Sequence, residues 1–200
     1  MKLVILDREG TIGRLRDDFV RTPEEWQPLP GALEAIARLN HAGFHVVVVC
    51  NQSGLARGLF DAVALNAIHA KMHQLLSAAG GRIDAVFFCP HAPDAGCACR
   101  KPNTGLFVQV AERYGMDLAT VPAVGDSLHD LDAAVAAGAE PHLVLTGRLG
   151  ATHPTLWKRT GQPAQPDDGV PAGTRVHADL DAFAEYLLAR DAVPLPQVAY

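Results

Sequence analysis

Short, continuously apolar runs alternate along this chain with longer segments in which apolar residues recur every three or four positions. KLVILD at 2–7 and FHVVVVC at 44–50 are typical of strands that are buried on both faces. Residues 61–77 instead carry leucine, isoleucine and methionine at helical spacing. This alternation predicts an α/β fold, a doubly wound and mostly parallel sheet with helices on both faces.

The same patterns assign the rest of the chain. Further strands are predicted at 85–88, 122–124, 142–146 and 174–177. Further helices are predicted from Pro30-Gly31 onward, at 104–114, from Ser127 to Gly138, and at 180–189. Residues 147–173, rich in Pro, Gly and Thr, are expected to form an irregular surface loop. We expect one domain over 1–190 and a C-terminal tail at 191–200.

Composition excludes several classes of protein. The 200 residues are 48% hydrophobic and 20% charged, with a formal net charge of −5. This fits a globular domain without the clustered basic face of a nucleic-acid-binding protein. No apolar stretch approaches the roughly 18 residues of a membrane-spanning helix, and the N-terminal apolar run is too short for a signal peptide. We therefore expect a cytoplasmic protein that acts on a small molecule, without nucleic-acid or membrane partners. The small size and the lack of a large insertion favour a monomer.

Polar residues follow several of the predicted strands at the point where each strand ends. They are Asp7 with Glu9, the segment 50–53, the loop that begins at Cys89, and Gly125-Asp126. Binding sites in doubly wound sheets form outside the carboxyl ends of the strands. Each feature alone is more typical of a solvated loop or a helix cap, but their shared placement predicts one site.

Asp7 and Glu9 are suited to phosphoryl transfer. Residues two apart in an extended segment point the same way, so Asp7 can act as a nucleophile and Glu9 as an acid/base on one substrate. Asp126 adds a carboxylate from another strand end, and carboxylates with phosphate oxygens are a usual environment for Mg²⁺. Lys101 would offset charge on the transferring group. The chain is therefore predicted to be a magnesium-dependent phosphatase with Asp7 as its nucleophile.

Cys89, His91, Cys97 and Cys99 form a compact metal-ligand pattern, C-x-H-x₅-C-x-C. Three thiolates and one imidazole suit tetrahedral zinc, and a site with four protein ligands keeps no open position for a substrate. We therefore predict a structural zinc ion that orders the loop 89–99. Because an Arg-Lys pair follows this loop directly, the zinc would also orient cations of the site.

In combination these motifs resemble the haloacid-dehalogenase-like (HAD) phosphatases and, within them, the D-glycero-D-manno-heptose 1,7-bisphosphate 7-phosphatases. The resemblance covers roughly residues 1 to 147. It rests on DREGT at 7–11, NQSGLARG at 51–58, CPH at 89–91, CACRKP at 97–102 and GDSLHD at 125–130. It implies a HAD-like Rossmannoid sheet without a large cap domain, a requirement for Mg²⁺, and hydrolysis through an aspartyl-phosphate at Asp7.

The resemblance also implies roles for individual residues. Substrate contacts are implied for Asn51, Gln52, Ser53, Arg57 and Arg100, and for the loop with Asp17 and Asp18. Lys101 would stabilise the transferring phosphoryl group. The backbone carbonyl of Glu9 would join Asp7 and Asp126 around the magnesium ion.

Two positions depart from the family pattern. Glu9 stands where the family has Asp, which lengthens the arm of the acid/base by one methylene. Cys50, a catalytic position in the family, stands where the family has Thr, and a thiol is a weaker donor than a hydroxyl. A misplacement of about 1 Å can cost about a hundredfold in rate. We therefore expect slow turnover, which replacing Glu9 by Asp would raise.

Three functions are compatible with these residues. The first is removal of the 7-phosphate of the heptose bisphosphate, in the supply of nucleotide-activated heptose for lipopolysaccharide and other surface polysaccharides. The second is hydrolysis of histidinol phosphate, since relatives with that activity have a similar zinc loop. Those relatives usually differ over 52–58, which favours the heptose enzyme. The third is a catalytically weak protein that binds a sugar phosphate. The departures at Glu9 and Cys50 motivate this third function, and the retained Asp7, Lys101 and Asp126 oppose it.

Overall fold

The computed structural model describes residues 1–192, and within this range six strands form one parallel sheet in the order β3-β2-β1-β4-β5-β6. The strands are β1 (Lys2–Leu6), β2 (Phe44–Asn51), β3 (Ala85–Cys89), β4 (Pro122–Gly125), β5 (Glu140–Val144) and β6 (Arg175–His177). The chain begins in the middle of the sheet at β1. Strands β2 and β3 are added on one side of β1, and β4, β5 and β6 are added on the other side. The predicted doubly wound α/β fold is confirmed.

Helices follow the strands and cover both faces of the sheet. They are α1 (Ala32–His41), α2 (Ala62–Ala78), α3 (Gly105–Tyr114), α4 (Leu128–Ala136), α5 (Arg148–Thr152) and α6 (Leu180–Asp191). Side chains cap several helix starts, because the first backbone N–H groups of a helix lack partners within it. Asp61 accepts from the N–H of Ala64, and a capping box of Ser127 and Asp130 opens α4.

Alternation along the strands builds two separate cores. In β2, Val46 and Val48 pack on the face covered by α1, α2 and α6, whereas Val47 and Val49 pack on the face covered by α3 and α4. Each such side chain contributes about 1.5–3 kcal/mol when it is fully buried. A central strand that is buried on both faces fixes where its last residues emerge at the sheet edge.

The expectation of an irregular surface loop over residues 147–173 is wrong. The segment contains α5 and 3₁₀ turns at Pro154–Arg159 and Pro166–Asp168. Its apolar residues join those of β5, β6 and α4 in a third core: Leu131, Leu143, Leu145, Leu149, Leu156, Ala164, Val170 and Val176. Within 147–173 the buried residues are separated by prolines and glycines, so no helical or strand period marks them in the sequence.

Residues 193–200 of the expected C-terminal tail lie outside the described residues, and α6 runs to Asp191. The division into a domain at 1–190 and a tail stays a prediction. Across residues 1–192, every helix is too short or too polar to cross a membrane.

Two buried histidines join the last two strands to each other. Nδ1 of His142 on β5 lies 3.0 Å from Nε2 of His177 on β6, and the rings stack with centroids 5.2 Å apart. Phe183 and Tyr186 of α6 close over both rings. Burial lowers the pKa of both histidines, and lowers the pKa of His177 to about 3.

This histidine pair predicts that stability depends on pH. An unfolded histidine titrates near about pH 6.5, so the unfolded chain binds protons that the folded protein excludes. The free energy of unfolding is therefore highest above about pH 6.5. It falls as the pH falls, by at most about 1.4 kcal/mol per pH unit for each histidine. Urea denaturation of the wild type and of His177→Phe at pH 7 and pH 5 measures this. We expect the variant to lose less unfolding free energy than the wild type over that interval.

The exposed His73 supplies the matched control for this comparison. His73→Phe removes one exposed ring without changing the pair, so its loss of stability should run parallel to that of the wild type. Parallel losses for His177→Phe and the wild type would show that the buried pair does not set the pH dependence.

Candidate active site

A cleft of about 390 Å³ opens at the carboxyl ends of β1, β2 and β4. This is the edge at which sites form in doubly wound sheets, next to the point where the strand order reverses. Most of the predicted site residues line it: Asp7, Glu9, Asp17, Asn51, Gln52, Ser53, Arg57, Arg100, Lys101 and Asp126.

Lys101 binds two carboxylates at the floor of the cleft. Its Nζ lies 2.7 Å from Oδ1 of Asp7 and 2.5 Å from Oδ1 of Asp130, and it donates to the carbonyl of Val49 at 2.6 Å. Burial opposes its charge, but Asp130 and Asp7 outweigh burial and raise the pKa of Lys101. The ammonium is therefore a fixed cation beside the Asp7 carboxylate.

Asn51 fixes the backbone of Lys101. Its amide nitrogen donates to the Lys101 carbonyl at 3.1 Å, and its amide oxygen accepts from the Lys101 N–H at 3.0 Å. The Asn51 side chain thus joins the end of β2 to the residue whose ammonium lies beside Asp7.

Asp7, Asp126 and Asp130 form a cluster of carboxylates whose oxygens lie within 4.8 Å of one another. Burial and the neighbouring carboxylates raise the pKa of Asp7 well above its usual range and raise the pKa of Asp126 to about 7. Burial also acts on Asp130, but Lys101 outweighs it and lowers the pKa of Asp130. One lysine does not neutralise three carboxylates, so the cluster suits a hard divalent cation with oxygen ligands.

Two glycines enclose the Asp126 carboxylate. A Cβ atom at Gly10 would lie 2.4 Å from Oδ2 of Asp126, and one at Gly147 would lie 2.0 Å from the same oxygen. Gly10 also has a φ of +84°, which other residues rarely adopt. The N–H of Arg148 donates to Oδ2 at 2.6 Å. The segment after β5 therefore holds a carboxylate that β4 supplies.

Two neighbouring side chains engage the carboxylate of Glu9. Its Oε1 pairs with Nε of Arg8, and its Oε2 accepts from the amide of Gln52 at 3.2 Å. Arg8 is 1% exposed, and its Nη1 lies 2.7 Å from Nε2 of His69 on α2. Glu9 thus faces the cleft with both carboxylate oxygens already engaged.

Cys50 and Asp18 lie elsewhere than expected, since neither side chain lines the cleft. The Cys50 thiol is 1% exposed within the core under α1 and α2, where burial raises its pKa to about 12. Strand β2 continues to Asn51, so its alternation turns residue 50 inward. Asp18 is exposed and forms ion pairs with Arg16 at 2.8 Å and Arg21 at 3.3 Å.

Sequence reasoning missed several residues of the site. Asp130 was predicted as the last residue of the motif at 125–130, with no role in the site, although it lies four positions after Asp126 in the first turn of α4. Arg8 reads as a solvated loop residue because nothing in its neighbours indicates burial. Arg100 was predicted, but not that its Nη1 would be buried without a hydrogen-bond partner among the described residues. A donor of this kind is suited to an anionic ligand.

The cysteine loop forms a second cluster beside the cleft. Sγ of Cys97 lies 3.6 Å from Sγ of both Cys89 and Cys99, and Nδ1 of His91 lies 3.5 Å from Cys89 and 3.3 Å from Cys99. Disulfide sulfurs are about 2.0 Å apart, so these are free thiols. All four ligand atoms lie within 4.8 Å of one another and could hold a metal ion.

Family models match most of this chain. The model described as polynucleotide kinase 3 phosphatase matches residues 2–134, and the one described as HAD-hydrolase-like matches residues 98–172. The parallel sheet, the Asp7 site at its edge and these matches define the class: the chain belongs to the HAD-like hydrolases.

Individual relatives narrow the class. The chain is 55% identical to a D-glycero-β-D-manno-heptose-1,7-bisphosphate 7-phosphatase of Bordetella bronchiseptica over 188 residues, 94% of this chain and 98% of the relative. It is 45% identical to the protein of that name in Pseudomonas aeruginosa, over 93% of this chain and 97% of the relative. The chain belongs to the family of heptose bisphosphate phosphatases.

Solved structures agree with this assignment. A crystal structure of the D,D-heptose 1,7-bisphosphate phosphatase from B. bronchiseptica, complexed with magnesium and phosphate, superposes with a TM-score of 0.86 at 55% identity. It covers 95% of this chain and 99% of that one. The corresponding enzyme from Burkholderia thailandensis gives a TM-score of 0.69 at 48% identity, over 94% of this chain and 99% of that one.

Proposed function

We propose that this protein removes the 7-phosphate of D-glycero-D-manno-heptose 1,7-bisphosphate through an aspartyl-phosphate at Asp7. The observation that carries the proposal is the half-buried Asp7 carboxylate, which lies 2.7 Å from the Lys101 ammonium and lines a cleft of sugar-phosphate size. The names of the relatives supply the substrate, and those from B. bronchiseptica and P. aeruginosa specify the β form of the heptose.

In the first step, an Asp7 oxygen attacks phosphorus and the bond from phosphorus to the sugar oxygen breaks. Glu9 gives a proton to the departing oxygen, and Lys101 stabilises charge on the transferring phosphoryl group. In the second step, Glu9 takes a proton from water, which attacks the aspartyl-phosphate. Inorganic phosphate leaves and the Asp7 carboxylate is restored.

The carboxylate cluster fits Mg²⁺. Its negative charge exceeds the positive charge of Lys101, and its oxygens lie within reach of one ion. Asp7 and Asp126 would hold the ion together with the backbone carbonyl of Glu9. Asp130 would remain paired with Lys101. A bound magnesium ion supplies charge stabilisation for phosphate oxygens and helps to orient them.

Substrate recognition falls on the cations and hydroxyls of the cleft. Arg100 would bind the second phosphate, because its buried Nη1 has no partner among the described residues, and Arg57 would be a further anion contact. Ser53 and Asp17 would contact sugar hydroxyls. Asn51 and Gln52 line the cleft but bond to Lys101 and Glu9, so their main contribution is to hold these two residues.

Phosphate release measured with magnesium across a substrate panel tests the proposed function. The panel contains both anomers of the heptose bisphosphate, histidinol phosphate and simple sugar phosphates. We expect the highest kcat/KM for a heptose bisphosphate. A maximum for histidinol phosphate would support the second candidate function, and a flat, low profile would support a binding protein.

The cysteine loop would hold zinc. Zinc–sulfur bonds of about 2.3 Å in a tetrahedron place sulfurs about 3.8 Å apart, close to the 3.6 Å between Cys97 and each of its two cysteine neighbours. The loop ends at Arg100 and Lys101, so an ion there would tie the substrate cations to β3.

Loss of this zinc is expected to weaken substrate binding more than chemistry. We expect about one zinc per chain in the wild type by elemental analysis and well under one in Cys97→Ser. The variant should show a KM raised about ten- to a hundredfold, because a shift of about 1 Å in a positioned group has effects of this order. Cys50→Ser, outside the cluster, is the matched control and should retain zinc. Full zinc loss with an unchanged KM would separate the loop from substrate binding.

A further inference from the structure

A buried hydrogen-bond chain runs from α2 to the acid/base of the proposed reaction. It begins at His69, which is 9% exposed, passes through the guanidinium of Arg8, and ends at the carboxylate of Glu9. Gln52 contacts the other oxygen of that carboxylate. Glu9 is the acid/base of the proposed reaction, whereas Arg8 and His69 take no part in its chemical steps.

The chemistry of the chain fixes its direction. Every nitrogen of the Arg8 guanidinium is a donor, so Nε2 of His69 must accept at 2.7 Å. His69 can accept because it is neutral, since burial, Arg8 and His73 lower its pKa to about 3. The ring therefore carries its proton on Nδ1. Nη1 and Nε belong to one rigid plane, so holding Nη1 also orients the N–H that faces Glu9.

The side chain of Glu9 needs such support. A glutamate has one more rotatable bond than an aspartate, and ordering its longer arm costs more rotamer entropy. Arg8 and Gln52 restrain the Glu9 carboxylate from two sides. Arg8 is itself only 1% exposed, so partners within the protein fix its position. One of these partners is His69, which is held on helix α2.

We propose that His69, acting through Arg8, is a positioning residue for Glu9. This inference rests on the proposed function, in which Glu9 is the acid/base. His69 touches neither the substrate nor the reacting atoms, so its removal should change the chemical step and leave binding of the phosphorylated substrate unchanged.

Two substitutions at His69 and one at its neighbour test this role. His69→Leu removes the acceptor and keeps apolar volume, His69→Gln keeps an acceptor, and His73→Leu is a control at an exposed position one helical turn away. We expect His69→Leu to lower kcat by about ten- to a hundredfold, the order expected from misplacing a catalytic group. KM should stay within about twofold. His69→Gln should recover most of kcat.

The leaving group provides a second readout that general loosening of the fold would not produce. An aryl phosphate departs with little need for a proton, whereas a sugar alkoxide needs one. His69→Leu should therefore lower kcat/KM for the sugar bisphosphate by at least about fivefold more than for p-nitrophenyl phosphate. Equal losses on both substrates would overturn the proposal. Should His69→Leu not fold, as judged by circular dichroism, His69→Met serves the same comparison.

Glu9→Gln separates this inference from the function on which it rests. If Glu9→Gln keeps wild-type turnover, Glu9 is not the acid/base and the proposed mechanism fails. If Glu9→Gln loses turnover while His69→Leu keeps its kcat, the mechanism stands and the positioning role fails. We expect the two losses to overlap, so that His69→Leu has little further effect in the Glu9→Gln background. Fully additive losses would contradict an action through Glu9.

Discussion

Asp7→Asn is expected to abolish turnover on every substrate. The side chain keeps its shape and can still accept from Lys101, but a neutral amide oxygen is a poor nucleophile for phosphorus. Loss of a covalent nucleophile costs on the order of 10⁴-fold or more in kcat. Phosphate release measures the loss, and mass spectrometry of rapidly quenched reactions should find one added phosphoryl group on the wild type and none on the variant.

Thermal stability distinguishes this effect from misfolding. Burial and the nearby carboxylates of Asp126, Asp130 and Glu9 raise the pKa of Asp7, so its charge is a burden in the metal-free protein. We expect Asp7→Asn to melt at the same temperature as the wild type or higher. Asp132→Asn, at an exposed position on α4, should keep both activity and stability. Substantial turnover by Asp7→Asn would remove Asp7 as the nucleophile.

Lys101→Met is expected to damage both activity and stability. It removes the cation that lies 2.7 Å from Asp7 and 2.5 Å from Asp130. Loss of one preorganised charge at a transferring group costs about 10²–10³-fold in kcat. Breaking a buried ion pair from one side costs about 3–5 kcal/mol, because it leaves the partner charges unpaired. Steady-state kinetics and urea denaturation measure the two losses.

A double variant tests the origin of the lost stability. Adding Asp130→Asn removes one of the stranded carboxylates, so Lys101→Met/Asp130→Asn should be more stable than Lys101→Met alone. The coupling between the two positions should be about 0.5–3 kcal/mol, as for other groups in one buried network. Activity should stay low, since the cation beside Asp7 is still missing. Additive stability losses would show that the Lys101–Asp130 pair contributes little.

Much of the fold follows from patterns that are local in the sequence. The runs at 2–7 and 44–50 are continuously apolar because their strands are covered on both sides, and the strands found at Lys2–Leu6 and Phe44–Asn51 agree within a residue. The same patterns predicted residues 147–173 wrongly. Their buried leucines lie on short turns that pack against distant strands, and no repeat in the sequence marks them.

The site was predicted as far as position along the strands determines it. Asp7 and Asp126 meet because the ends of β1 and β4 share one edge of the sheet, and Lys101 reaches the same edge from the loop after β3. The environment of Glu9 depends on Arg8 and on His69, which approaches from a helix 61 residues after Arg8 in the chain. Slow turnover through Glu9 and Cys50 stays a prediction, but the Cys50 thiol is buried outside the cleft. Pairings of this kind depend on tertiary packing, which spacing does not encode.

The segment that encloses Asp126 also limits where the chain can be truncated. Gly147 and the N–H of Arg148 hold the carboxylate from one side, and Leu149 anchors them in the core that Leu156 and Val176 complete. The recognisable phosphatase motifs end near residue 130, yet a chain cut at residue 147 would lose one wall around Asp126, a carboxylate that we propose binds Mg²⁺. Substitutions in the last quarter of the sequence, far from any motif, therefore belong among those that can impair catalysis.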